Sequence, residues 1–289
     1  VYIHEGVYLG GIAFAKDLTL EGEGKEKTIL TGSRWRGLKI GGEATVVIRN
    51  LQVSGNRDDG FWVEDSAQVS VQDCQVSGNG NSGLVVRDSA RVSLQDCQVS
   101  GNGEDGLGVN DSAQVELTDC WISDNAGCGI RKGGDATVTG RGNWVSYNAQ
   151  DFCDFSPPPG FLRDSPPQPL VGRAEVCPQG CRFSTIQEAI IMTRPGGTVH
   201  IHEGVYLGGM ALVKDLTLEG EGKEKTIITG GTSGLRIAGE AVVAIRNLQV
   251  SGNRDNGLVV WGSARVSLTN SQVSGNGCGL WVGSSAQVS

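Results

Sequence analysis

Residues 65–87 read DSAQVSVQDCQVSGNGNSGLVVR, and this 23-residue pattern occurs four times in succession, at 42–64, 65–87, 88–110 and 111–133. A second, longer period lies above it. Residues 4–32 return at 202–230, about 198 residues later, with 25 of 29 positions identical. A fixed period of 20 to 50 residues marks a stacked architecture, so the repeat unit is read before any motif.

Aligning the copies separates buried from exposed columns. Ala44/Ala67/Ala90/Ala113, Val46/Val69/Val92/Val115, Ile48/Val71/Leu94/Leu117, Val53/Val76/Val99/Ile122 and Phe61/Leu84/Leu107/Ile130 are small or apolar throughout, and polar residues such as Gln68, Ser70, Gln72 and Gln75 alternate with them. Alternation at period two with β-branched residues signals half-buried strands. Each run is only a few residues long and is broken by Asp-Ser, Gln-Asp or Ser-Gly-Asn, which are turn formers. A unit of two or three such strands cannot bury its own apolar face. Stacked about 4.8 Å from its neighbour, it buries that face and pairs its backbone with the next coil. The expected fold is therefore an all-β solenoid of parallel strands, right-handed by the crossover rule, with about 23 residues per coil. Asn56, Asn79, Asn102, Asn125 and Asn148 recur once per coil, as do Asn253 and Asn276 in the second half. These asparagines are expected to hydrogen-bond to one another up a ladder.

Here the chain resembles the right-handed parallel β-helix proteins of the pectin-lyase-like fold, in their generic bacterial secreted repeat form. The resemblance rests on the S-G-N-x-x-x-G-[LF]-x-V coils and on VCPQGCRFSTIQEAIIMTRPGGTVHIHEGVYLGG at 176–209. It implies that a short amphipathic helix, here about 185–192, caps the apolar end of a coil stack. The following G-G-T-V-x-I-x-x-G-V-Y segment then starts the first turn. It says little of function, because the scaffold carries lyases, hydrolases, esterases, adhesins and structural proteins.

The expected organisation is a first stack over 1–156 that lacks a cap, a proline-rich linker over 157–171, and a second stack over 172–289 with its cap at 176–195. The second stack stops in mid-coil, so the chain reads as an excerpt of a longer tandem array. A net charge of −8 argues against nucleic acid as a partner. No apolar run is long enough to insert in a membrane. Among the eight cysteines, Cys74, Cys97 and Cys120 fill one inward column and read as a buried stack of small residues. Cys128 and Cys278 share a coil position. Cys177 and Cys181 flank Pro-Gln-Gly and are candidates for a local bridge holding the cap, which points to an oxidising, extracellular or cell-surface setting.

Chemistry is harder to find. The resemblance implies that enzymes of this fold place paired acidic residues with Arg or Lys on an outward face. The outward columns of the first stack read Trp62/Val85/Gly108/Arg131, Gln68/Arg91/Gln114, Ser70/Ser93/Glu116 and Gln72/Gln95/Thr118. None offers two carboxylates converging on one bond, so no catalytic residue and no enzyme activity are expected. Asp65/Asp88/Asp111 and Asp73/Asp96/Asp119 stack like charges, which raises calcium as the one cofactor to weigh. Capping of each turn by its own Asp is the plainer reading. His200 and His202 share a strand face but read as ordinary exposed residues, so no metal site is expected. Trp62, Trp121, Trp144 and Trp281 fall in outward columns and are candidates for stacking on sugars or for an interface. The leading expectation is a non-catalytic structural protein that stacks end to end into an extracellular fibre, sheath or surface layer, because identical surfaces recur along the chain. A carbohydrate-binding or adhesin module is the alternative. The third reading is a polysaccharide lyase or hydrolase with its site outside this segment.

Overall fold

The computed structural model describes residues 1–163 and 170–289. The chain divides into two compact units, 1–167 and 168–289. In the first, successive coils contribute strands to three seven-stranded parallel sheets. The first sheet begins at Tyr2–Ile3 and ends at Thr137–Arg141, the second runs from Gly6–Leu9 to Trp144–Ser146, and the third from Ile12–Phe14 to Gln150–Cys153. In the middle coils each residue pairs with its counterpart one repeat away: Gln68 with Arg91, Val69 with Val92, Leu84 with Leu107. The register therefore superposes the sequence columns in space. Val46, Val53, Phe61 and their equivalents up to Val115, Ile122 and Ile130 line a continuous core at 0–4% exposure, while Gln68, Arg91 and Gln114 face out.

The strands are short because the turns between them need left-handed backbone. Asp65, Asp88 and Asp111 have φ of 61°, 57° and 59°, and Asp73, Asp96 and Asp119 have 47°, 52° and 52°. Asn50 and Gly42 take the same conformation in the neighbouring coil. Asp, Asn and Gly are the residues that reach this region at least cost, which accounts for their exchange within these columns. The carboxylates also have partners one coil away. The amides of Gly42, Asp65 and Asp88 donate to Asp65, Asp88 and Asp111 at 2.8, 3.1 and 3.1 Å. One Asp column is thus a run of turn caps on backbone amides.

The asparagine ladder is complete in the first unit. The side-chain amides of Asn56, Asn79, Asn102 and Asn125 donate to the carbonyl of the next asparagine at 2.9, 3.0, 2.9 and 2.8 Å. From Asn79 onward the second amide hydrogen goes to a backbone carbonyl of the preceding coil, as with Asn102 to Val76 at 3.3 Å. Asn148 ends the ladder on Asp151 at 3.1 Å, and Asn253 donates to Asn276 at 2.9 Å in the second unit. Glycine precedes each following strand for a steric reason: a Cβ on Gly83 would sit 2.6 Å from Val99 and 2.8 Å from the Asn102 amide. Cys74, Cys97 and Cys120 lie free and buried beside this core. Burial pushes the Cys74 thiol well above its ordinary range.

The second unit has a six-stranded sheet from Val171–Val176 through Thr193–Ile201, Leu216–Gly220, Val242–Arg246 and Arg265–Thr269 to Gln287–Val288, with two four-stranded sheets beside it. The helix Ile186–Met192 buries Ile186, Ala189, Ile190, Ile191 and Met192. Thr185 caps its start by accepting the Glu188 amide at 3.3 Å, and buried Lys214 donates to the Ile191 carbonyl at 3.2 Å. Cys177 and Cys181 are bonded just before it, and a second disulfide joins Cys128 to Cys153 on adjacent coils. Cys153 had no repeat partner in the sequence to suggest that pairing.

Two organisational expectations are corrected. Residues 157–163 are not linker but part of the first unit: Phe161 is fully buried, its ring 6.2 Å from Phe152, and its carbonyl accepts the Asn143 amide at 2.9 Å. Three consecutive prolines suggest a spacer, yet the apolar residue after them closes the core. The rest of that linker, 164–169, lies outside the described residues. At its far end Val171–Val176 is a strand paired with Thr193–Ile201, so the coil stack extends beyond the cap helix.

Candidate functional site on the outward face of the first sheets

Arg173, Ala174, Glu175 and Val176 alternate outward and inward, with Ala174 and Val176 in the core. Register pairs Glu175 with His200 and His200 with Glu219. His202 and Glu221 follow two residues later on their chains. The result is a mixed cluster of carboxylates and imidazoles on adjacent strands. His202 Nε2 lies 3.1 Å from Glu175 Oε2 and its Nδ1 lies 2.9 Å from Glu221 Oε1. His200 Nδ1 is 3.6 Å from Glu219 and Nε2 is 3.9 Å from Glu221. Arg173 closes the cluster with contacts of 2.7 Å to Glu175 and 3.6 Å to Glu219. Hydrogen bonding from His202 and the Glu203 amide holds the Glu221 carboxyl below its ordinary range. Such a cluster can relay protons between carboxylates through an imidazole or gather donors around a cation.

Sequence reasoning missed this cluster for a traceable reason. It took the second stack to begin at its cap helix, so that no strand was assigned to Glu175 just before the cap, and it read His200 as exposed. The His200 side chain is only 18% exposed, because strands on both sides flank it. The alternation in 173–176 was the available signal for the extra strand.

The same face carries grooves further along. In the first unit a groove of about 490 Å³ runs across the first sheet, lined by Gln68, Ser70, Arg91, Ser93, Gln114 and Glu116 among others. In the second unit a groove of about 480 Å³ is lined by Asp215, Thr217, Ala244, Arg265, Ser267 and Gln287. Thr217 and Glu219 belong to one strand, so this groove and the cluster share a face.

The tryptophans behave differently from the sequence expectation. Trp121 and Trp144 are 7% and 8% exposed and pack edge to face at 5.2 Å, so burial removes them from sugar stacking. Trp62 is half-buried, with the Arg36 guanidinium 3.7 Å over its ring and its indole N–H donating to Glu64 at 2.6 Å. Trp281, 48% exposed, keeps a free aspect.

Three parallel sheets in register around one core, with an asparagine ladder inside and polar columns outside, define a right-handed parallel β-helix protein. Residues 24–156 match the family described as "Right handed beta helix region". No curated protein matches the chain. Among solved structures it is similar to the catalytic domain of a GH87 α-1,3-glucanase in complex with tetrasaccharides (11% identity, TM-score 0.35, all of this chain and 63% of that one). It is also similar to a tailspike from an Acinetobacter baumannii bacteriophage, a capsular polysaccharide depolymerase (10%, TM-score 0.36, 100% and 56%). A third is a PL6 family alginate lyase mutant (10%, TM-score 0.30, 100% and 76%). The chain thus spans less than two thirds of the glucanase domain and of the tailspike.

The expectation of a chain without enzyme activity does not stand. Its premise, that no outward carboxylates converge, fails in the structure, because they do so at Glu175, Glu219 and Glu221.

Proposed function

We propose that the protein is an extracellular polysaccharide-engaging β-helix, with an extended glycan lying across the outward face of the first sheets. The observation that carries this reading is the groove of about 490 Å³ and its lining of amide, hydroxyl and guanidinium groups, presented by strands in fixed register. Neighbouring strands present such groups about every 4.8 Å, close to the length of one hexose in an extended chain. Planar amides and guanidinium groups suit sugar hydroxyls, and charged donors make the stronger bonds. In the second unit the corresponding groove shares its face with carboxylates that could serve as acid and base. Gel retardation of the full chain by neutral and acidic polysaccharides tests the reading. Binding to at least one is expected, and replacing Arg91 and Gln114 together by alanine should weaken it about tenfold or more. No retardation by any polysaccharide would sink the proposal. Reducing-end release, and absorbance of unsaturated products, then separate hydrolysis, elimination and binding alone.

The structural-fibre reading is not carried forward. It rested on the identity of repeated surfaces, which duplication of the 198-residue unit also produces, whereas the grooves offer specific chemistry.

A further inference from the structure

We infer that Glu175, His200 and His202 form a binding site for a divalent transition-metal ion of the zinc type. The inference is independent of the polysaccharide reading. One ligand atom from each of the three residues lies within 4.8 Å of the others, a spacing one ion can bridge after small side-chain rotations. Glu175 and His200 come from adjacent paired strands, and His202, one residue past the second of them, donates its amide to the Val176 carbonyl at 2.9 Å, so the chain positions the donors before any ion arrives. Two imidazoles with one carboxylate suit zinc, cobalt or nickel, whereas calcium and magnesium want oxygen.

Two further observations point to a ligand. His200 Nδ1 is shielded from solvent and has no hydrogen-bond partner, a state that buried polar nitrogens rarely keep. His202 already has the support typical of a metal-bound imidazole. With its Nδ1–H donated to Glu221 at 2.9 Å, its Nε2 lone pair is free to bind the ion, 3.1 Å from Glu175 Oε2.

The long repeat supplies an internal control. In the first unit His4 Nδ1 contacts Glu23 Oε1 at the same 2.9 Å, but Tyr2 stands where the second unit has His200. The carboxylate–imidazole support is therefore common to both units, and the second imidazole is particular to one. An ion here would tie the strand that precedes the cap helix to the coil that follows it.

The test is titration of the chelator-washed full chain with Zn²⁺ by calorimetry, and with Co²⁺ by visible absorption. One ion per chain is expected, together with a rise in Tm and, for cobalt, bands of nitrogen and oxygen ligation without thiolate charge transfer. His200→Tyr, which places in the second unit the residue the first unit carries, should weaken Zn²⁺ binding about a hundredfold with an unchanged circular dichroism spectrum. Glu175→Gln provides a second variant and should weaken it about tenfold or more. Binding that survives both variants overturns the site, as does binding that is lost instead with Cys278→Ser, the exposed free thiol. Absence of any binding by the wild-type chain overturns it as well.

Discussion

Glu64 shows how one outward side chain is fixed by its neighbours. Lys39 lies 2.6 Å from one carboxylate oxygen and the Trp62 indole N–H donates to the other at 2.6 Å. The hydrogen bonds from Lys39 and Trp62 hold the Glu64 carboxyl below its ordinary range. A folded-state pKa lowered in this way stabilises the native state above the unfolded-state value, and that stability is lost as pH falls through the folded one. Glu64→Gln should therefore cost stability at pH 6 to 7, and the cost should shrink toward zero below about pH 4. Urea midpoints of the two proteins across that range provide the check. The same arrangement explains why Trp62 makes a poor sugar platform: its ring is engaged by Arg36 and its N–H by Glu64.

At the scale of elements, what matters is the column rather than the strand. Each strand is three to five residues long in the middle coils and has little stability alone. Stacking turns Val46, Val69, Val92 and Val115 into one apolar ridge, and turns seven turn residues into ladders inside the solenoid. The Asn102 carbonyl accepts from both the Asn79 backbone and side-chain amides, at 3.2 and 3.0 Å, and its own amide serves Asn125 and Val76. Asn102→Ala should leave several of these buried groups unpaired and cost about 3 kcal/mol or more. Chemical denaturation of the full chain measures it. A loss within 0.5 kcal/mol would mean that water replaces the ladder.

For the whole molecule, the cysteines provide a sharp readout of the two units together. Four of the eight are paired, as Cys128–Cys153 and Cys177–Cys181, and Cys74, Cys97 and Cys120 are buried while Cys278 is exposed. Thiols shut away from solvent are out of a reagent's reach and react slowly. A thiol-specific reagent should count one fast thiol per native chain and four after unfolding without reductant. Three or four fast thiols in the native chain would show that the Cys74–Cys120 column is open to solvent.

Periodicity alone determined the solenoid, because a 23-residue repeat that alternates apolar and polar residues can bury its face only by stacking on copies of itself. The inward columns and the asparagine ladder were legible for that reason, since each is a property of one position repeated, whereas the cap helix occurs once and was implied by the family resemblance of 176–209. The cluster at Glu175, His200, His202, Glu219 and Glu221 was not legible, since its members come from coils outside the 23-residue repeat and meet only through strand register. Burial of Trp121 and Trp144, the Arg36 cover on Trp62, the closure of the core by Phe161 and the Cys128–Cys153 pair were decided in the same way. Column logic tells which way a side chain points from its own strand, but only tertiary packing decides what lies over it.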